Sequence, residues 1–141
     1  KYKMINTIQF PFNILDYRWL NILNNKKNNN LRLFARSVLM RGNIKKNNII
    51  FNKNNIQSKK LTKKLLAISK EYKKENLIDL SISYVKSFKE INYFVIGAQN
   101  TTQLLEIIKY FKNKKLNNTQ KSNIIELVKK NCNAKNFDLR N

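Results

Sequence analysis

The stretch from residue 93 to residue 112 is the feature that most constrains what this chain can fold into. Four apolar residues, YFVI at 93–96, are followed by Gly97 and then by an amphipathic segment at 101–112. A short apolar run that leads through a glycine into a helix is typical of a βα unit. The sequence therefore predicts a parallel sheet, because parallel strands need a crossover helix between them.

The remainder of the chain continues this alternation of short strands and helices. Strands are predicted at residues 5–10, 31–35 and 93–96. Apolar residues at helical spacing predict helices at residues 14–23, 58–75, 77–88, 101–112 and 120–131. The stretch 37–57 is predicted to be a long irregular loop. Ser58 is a candidate N-cap, and Asn100 with Gln103 resembles a capping box.

The formal net charge of +21 raises the question of nucleic-acid binding. Five of the 29 basic residues are Arg, which leaves 24 Lys, although phosphate and base readers favour the bidentate guanidinium group. The Lys residues are spread over four of the five predicted helices and over the loops, and they occur together with abundant Asn and Ile. This distribution favours a solvated basic surface over a nucleic-acid interface.

Composition also limits the compartment and the kinds of site. The single Cys132 excludes an internal disulfide and a zinc site built from cysteines, and no metal site is predicted. No signal-peptide pattern is present at the start, and no apolar run reaches the roughly 18–20 residues that a membrane span needs. A cytoplasmic protein without a membrane partner is expected.

Three motifs, in this order, resemble the aldo/keto reductase family. The segment QFPFNILDYRW at 9–19 is similar to the family's sixth strand and its exit, and FARSVLMRG at 34–42 is similar to the seventh strand and its loop. The segment VIGAQNTTQLLEII at 95–108 is similar to the eighth strand and the helix after it, and NFDLR at 136–140 resembles the family's C-terminal tail. The serial order of the motifs is more specific than any one of them.

The resemblance implies an α/β fold in the form of a partial (β/α)8 TIM barrel, with strands six to eight and their helices. A complete barrel needs about 250 residues, so residues 1–141 are expected to be the C-terminal part of a single barrel domain whose N-terminal half is absent. A chain that opens on Lys1 and reaches a strand within five residues agrees with this expectation. The implied function is to bind NADP(H), or NAD(H), in an oxidoreductase that reduces a small-molecule carbonyl substrate by hydride transfer.

The first two motifs imply residues for the nicotinamide and pyrophosphate. Gln9 matches a Gln that hydrogen-bonds the nicotinamide carboxamide, where each amide offers a donor and an acceptor. Arg36 occupies a position from which a planar group stacks on the nicotinamide, as a guanidinium can. Ser37, Leu39 and Arg41 match the loop that contacts the pyrophosphate. A Ser that simply ends a strand is an equally good interpretation of Ser37.

The third motif implies the residues for the adenosine end, which are Gly97, Ala98, Gln99, Gln103 and Glu106. The small residues would let the backbone approach the ligand, and the helix after them would point its N-terminus toward phosphate. Gln103 matches a position near the 2′-phosphate or adenine, and Glu106 matches a contact to the adenine amino group. Ile107 stands where the family usually has Asn, which leaves the preference between NADP(H) and NAD(H) open.

The family's catalytic Asp, Tyr, Lys and His lie in the first half of the barrel. This chain contains no His, and Tyr84 and Lys86 are interpreted as core and surface residues of a helix, so no catalytic residue is nominated. The chain alone is expected to be inactive. Two alternatives remain at this point: a non-catalytic basic module that binds nucleic acid, and a barrel pseudo-enzyme. Substrate identity and oligomeric state are left open.

Overall fold

The computed structural model describes residues 5–24, 31–50 and 56–132, except for the side chains of residues 24 and 56–58. The strands are β1 (Thr7–Pro11), β2 (Arg32–Arg36) and β3 (Tyr93–Val95). The helices are α1 (Leu20–Asn24), α2 (Ile56–Glu71), α3 (Leu77–Val85), α4 (Thr101–Lys112) and α5 (Asn118–Asn131), with a 3-10 turn at Met40–Gly42. The predicted alternation of strands and helices is confirmed over the described ranges. The tail motif at 136–140 lies outside them.

The three strands form one parallel sheet in the order β1-β2-β3. Phe10 lies opposite Ala35, which in turn lies opposite Phe94. Because all three strands run in the same direction, their carboxyl ends lie along one edge of the sheet. The loops that follow the strands therefore begin at a common edge, as the βα pattern predicts.

The two faces of the sheet have different environments. Phe10, Leu33 and Ala35 are buried in the hydrophobic core with residues of the helices. Side chains of successive strand residues alternate between faces, so Gln9, Phe34 and Tyr93 share the opposite face. Tyr93 is 48% exposed. One face of this parallel sheet is thus covered by the described helices and the other is open.

The predicted helix at 14–23 is largely wrong, because α1 covers only Leu20–Asn24. Side chains of Asn13 and Asp16 accept hydrogen bonds from the backbone N–H groups of Leu15 and Arg18, at 3.0 and 3.1 Å. Such local bonds compete with helical backbone bonds. Ile14 and Leu15 are nevertheless buried, so the segment contributes to the core as a turn.

The predictions for the later elements agree more closely with the structure. Helix α4 coincides with the predicted range 101–112, whereas α2 begins at Ile56, two residues before the predicted cap Ser58. Ser58 therefore lies inside the helix, and its side chain is outside the described set. None of the helices among the described residues is long and apolar enough to span a bilayer.

Candidate functional site

The carboxyl edge of the sheet is where the predicted site residues begin. Arg36, at the end of β2, is in register with Pro11 of β1 and Val95 of β3. Gln9 pairs with Phe34, which is two residues before Arg36 on β2. Gln9 and Arg36 therefore lie on the same, open face of the sheet, two residues apart along the strand direction. The structure therefore brings the two predicted nicotinamide residues onto one face. Neither residue lines the cavity between the loop that follows β2 and the start of α4.

The loop after β2 makes a tight turn with unusual backbone angles. Ser37, Met40 and Arg41 have φ values of 56°, 48° and 54°, a left-handed region that costs energy for residues other than glycine. The turn is held by a hydrogen bond from the N–H of Met40 to the Ser37 carbonyl, at 2.8 Å. Arg36 donates to the Ser37 hydroxyl at 3.3 Å. Ser37 thus follows the last residue of β2 and starts an ordered turn.

Residues 43–50 form a small hairpin, so the prediction of an irregular loop at 37–57 is wrong for these residues. Ile44 and Ile49 pair as an antiparallel bridge, and both side chains are buried. The Lys45 N–H donates to the Asn48 carbonyl at 2.8 Å. The Lys46 carbonyl accepts from the N–H of Leu77 at 2.9 Å, which satisfies a donor at the start of α3. The hairpin is therefore anchored to α3.

Side-chain caps at the start of α4 occupy two backbone donors, one in the helix and one just before it. Asn100 accepts from the N–H of Gln103 at 2.9 Å, and the Gln103 side chain accepts from the N–H of Gln99 at 2.7 Å. The predicted cap at Asn100 is confirmed, but Gln103 reaches back to Gln99 rather than to Asn100. Because these two amides are already bonded, they are not free to donate to a phosphate in this conformation.

A cavity of about 460 Å³ separates the hairpin from the start of α4. This volume lies within the usual range of ligand pockets, about 300–1,000 Å³. Its lining consists of Leu39, Gly42, Ile44, Lys45, Lys46, Asn47, Asn48, Ile78, Gly97, Gln103 and Glu106. Four of the ten predicted cofactor residues belong to this lining: Leu39, Gly97, Gln103 and Glu106. Two segments distant in sequence thus form one concave site.

An ion pair joins the two walls of the cavity. The Lys46 ammonium lies 2.5 Å from a Glu106 carboxylate oxygen, and their side chains are 51% and 32% exposed. The hydrogen bond to Glu106 raises the pKa of Lys46, so the ammonium form is favoured. On the α4 side, a Cβ at Gly97 would meet no atom within 4 Å. The glycine therefore borders open space, as the predicted close approach of a ligand requires.

The remaining predicted residues do not line the cavity. Ala98 and Gln99 are exposed between Gly97 and the cap of α4, and Arg41 is exposed in the turn after β2. Sequence reasoning missed the hairpin residues, among them Lys45 and Lys46. They lie in an Asn- and Lys-rich stretch that has the composition of a solvated surface, and only the Ile44–Ile49 pairing reveals the hairpin.

Ile107, Tyr84 and Lys86 are the other residues that the sequence analysis interpreted individually. Ile107 is buried in the core, so the side chain packs instead of facing the cavity. Tyr84 is a core residue as predicted, being 1% exposed. Lys86 is not a simple surface residue, because it donates to the carbonyls of Phe111 and Asn113 at the C-terminal end of α4. Burial lowers the pKa of Lys86.

The described part of the chain contains no cluster of His, Cys, Asp or Glu that could hold a metal ion. The described residues form a three-stranded parallel α/β unit. A basic, partly apolar cavity lies beside the carboxyl edge of its sheet. Open α/β sheets commonly bind small ligands at this edge, beyond the carboxyl ends of their strands.

Comparison with known proteins identifies the family. The sequence pattern of the aldo/keto reductase family matches residues 1–129, so the chain belongs to that family. No curated protein matches the sequence closely enough to count.

Solved structures share the fold. The aldo-keto reductase AKR11C1 from Bacillus halodurans, in its holo form, superposes with a TM-score of 0.73 at 15% identity, over 94% of this chain and 44% of that one. The glycerol dehydrogenase AKR11B4 from Gluconobacter oxydans has a TM-score of 0.65 at 16% identity, over 89% of this chain and 42% of that one. The chain thus spans less than half the length of these structures.

Proposed function

We propose that this chain forms the cofactor-binding part of an NAD(P)H-dependent carbonyl oxidoreductase. The observation that carries the proposal is the cavity between the hairpin and α4. Four residues that the family resemblance assigns to the cofactor line it, although they come from segments more than 50 residues apart in the sequence. The cavity volume suits the adenosine end of a dinucleotide, and its two Lys residues suit an anionic ligand.

The three strands would be strands six to eight of a (β/α)8 barrel. Parallel sheets are normally covered on both faces, yet the face that carries Gln9, Phe34 and Tyr93 is open in the described residues. In the proposed barrel this face would point to the interior, with its carboxyl edge at the mouth where such barrels bind ligands. Residues 1–141 would then be the C-terminal part of one barrel domain.

Each predicted residue would have a role in binding and orientation. Gln9 and Arg36 would hold the nicotinamide, Ser37 would face the pyrophosphate, and Glu106 would accept from the adenine amino group. When bound, the nicotinamide supplies the hydride for carbonyl reduction. These residues would bind and orient the cofactor. Proton transfer would need other groups, since no catalytic residue is assigned in this chain.

Nucleotide titration of Gly97→Val tests the proposal. The purified protein should bind NADPH or NADH, measured by calorimetry. A valine at position 97 should weaken binding about tenfold or more, because it fills space that the ligand needs and steric overlap costs about 1–3 kcal/mol. Its melting temperature should change little, since a Cβ there meets no atom within 4 Å.

The matched control is Leu105→Val, a residue of α4 that is 61% exposed and does not line the cavity. This variant should bind the nucleotides as the unmodified protein does. Absence of binding to both nucleotides by the folded protein, or equal binding by the position-97 variant, would contradict the proposed site.

A further inference from the structure

One side of helix α2 carries a row of positive charges. The helix contains five Lys residues and a single acidic residue, Glu71, at its last position. At about 100° per residue, Lys59, Lys63 and Lys70 lie within about 40° of one another around the helix axis, and all three are exposed. Leu61, which is buried in the core, lies on the opposite side. The three Lys residues form a lysine ridge that runs about 17 Å along the helix.

Helix α5 extends this basic surface. It lies antiparallel to α2, because Lys64 donates to Asn131 at the end of α5 and Asn123 near its start donates to Tyr72, both at 3.2 Å. The Lys residues at 129–130 are exposed and immediately precede Asn131, so they lie beside Lys64. Together the two helices contain eight Lys and two Glu residues. None of the ion pairs found among the described residues involves either helix.

The stability of α2 does not account for the lysine ridge. Lys59 and Lys63 are four residues apart, as are Lys60 and Lys64, and like charges at this spacing destabilise a helix. A Glu at one position of each pair would stabilise the helix and keep the surface solvated. A row of cations without carboxylate partners is instead typical of a surface that binds a polyanion.

The composition of this surface favours the backbone of a nucleic-acid duplex among polyanions. Proteins that bind single strands stack bases on exposed aromatic rings, and helices that bind membrane surfaces bury apolar side chains in the lipid. None of the exposed large apolar residues in the described ranges lies on α2 or α5. A duplex carries one charge per about 1.7 Å of its axis, so a ridge of about 17 Å faces several phosphates.

We propose that the lysine ridge, with the adjoining end of α5, binds the phosphate backbone of a nucleic-acid duplex without base specificity. Folding gathers on one surface Lys residues whose distribution along the chain resembles that of a solvated surface. The ridge contains none of the residues that line the cavity, so this binding is separate from the proposed cofactor site. It changes no covalent bond and releases counterions from the duplex, which makes it sensitive to salt.

Fluorescence anisotropy with a labelled DNA duplex of about 20 base pairs tests this surface. The unmodified protein should bind two duplexes of unrelated sequence equally well, because Lys contacts to phosphate carry no sequence information. The triple variant Lys59→Gln, Lys63→Gln and Lys70→Gln should bind about tenfold or more weakly at about 0.1 M salt. Its salt slope should be smaller by about 2–3, since each lost phosphate contact removes about 0.9.

A second triple variant is the matched control: Lys89→Gln, Lys114→Gln and Lys115→Gln. These residues are exposed and lie outside α2 and α5, and their replacement lowers the net charge equally. The control should keep the salt slope and lose less than about threefold in affinity. Both variants should keep the melting temperature within a few degrees, because the replaced side chains are on the surface.

Absence of duplex binding, or equal losses in the two triple variants, overturns the assignment, because the ridge would then have no special role. Tighter binding to vesicles with about 30% phosphatidylserine than to the duplex, lost in the ridge variant, would also overturn it and assign the surface to a membrane. NADPH binding by the ridge variant should equal that of the unmodified protein, which distinguishes a failure of this surface from a failure of the cofactor site.

Discussion

At the scale of single residues, Tyr84 shows how the fold changes the chemistry of a side chain. Its ring is enclosed by two other aromatic rings, those of Phe12 at 6.1 Å and Phe88 at 5.1 Å between centroids. Burial, and to a smaller extent the charge of Asp16, raises the pKa of Tyr84 above its ordinary value of 10.0. The phenol is therefore a packing group and not a proton donor near neutral pH.

This environment makes stability depend on pH in the alkaline range. Below pH 10 the phenol is protonated in both the folded and the unfolded protein, so its contribution to stability is fully present. As pH rises further, the unfolded chain releases the proton and the folded chain retains it, which favours unfolding. Above pH 10 the free energy of unfolding should fall more steeply than in Tyr84→Phe, by about 1.4 kcal/mol per pH unit.

Urea denaturation at a series of pH values measures this slope. Tyr93→Phe is the control, because Tyr93 is 48% exposed whereas Tyr84 is buried. Equal alkaline slopes for the unmodified protein and the Tyr84 variant would show that the buried phenol does not contribute.

At the scale of the elements, the caps of α3 and α4 differ in burial. Asn76 caps α3 by accepting from the N–H groups of Ile78 and Asp79, at 2.9 and 3.1 Å, and it donates to the Tyr110 hydroxyl at 2.8 Å. It is 8% exposed, whereas Asn100, the cap of α4, is exposed. The same residue type therefore performs the same local task in two different environments.

Replacing each cap by alanine should show the effect of burial. Asn76→Ala should lower the free energy of unfolding by about 2–4 kcal/mol, since it removes a cap and leaves buried polar groups without partners. Asn100→Ala should cost about 1 kcal/mol, because water replaces the lost acceptor. Chemical denaturation of both variants measures the difference, and equal losses would contradict the argument.

The elements also show how far sequence patterns reach. The range of α4 was predictable because its apolar period and its Asn cap are both local signals. The segment 14–23 has a similar apolar spacing, but Asn13 and Asp16 divert its backbone into turns. The hairpin at 43–50 was not predictable, because neither Gly nor Pro marks its turn and its stability comes from burying Ile44 and Ile49 against distant residues.

At the scale of the whole molecule, the net charge of +21 is the dominant electrostatic feature. The 29 Lys and Arg residues outnumber the 8 Asp and Glu residues, so most of the positive charge is left to repel itself. Such self-repulsion destabilises a compact chain. The screening length falls from about 10 Å at 0.1 M salt to about 3 Å at 1 M.

Added salt should therefore stabilise this protein. Its melting temperature should rise by several degrees between about 0.1 and 1 M NaCl, measured by calorimetry or circular dichroism. Reversing the exposed Lys59, Lys63 and Lys89 to Glu lowers the net charge from +21 to +15, because each reversal removes two charges. The triple variant should respond less to salt. An unchanged or steeper response would argue against self-repulsion.

The sequence by itself determined the order of strands and helices, the parallel class of sheet and the family, because periodicity and short motifs are local properties of the chain. The family resemblance in the sequence also predicted Leu39, Gly97, Gln103 and Glu106 as cofactor residues. Only the tertiary structure decided that these residues share a cavity, and that Lys46 faces Glu106 although 60 positions separate them in sequence. Pairings of this kind depend on how distant segments pack against a common core, which no local pattern encodes.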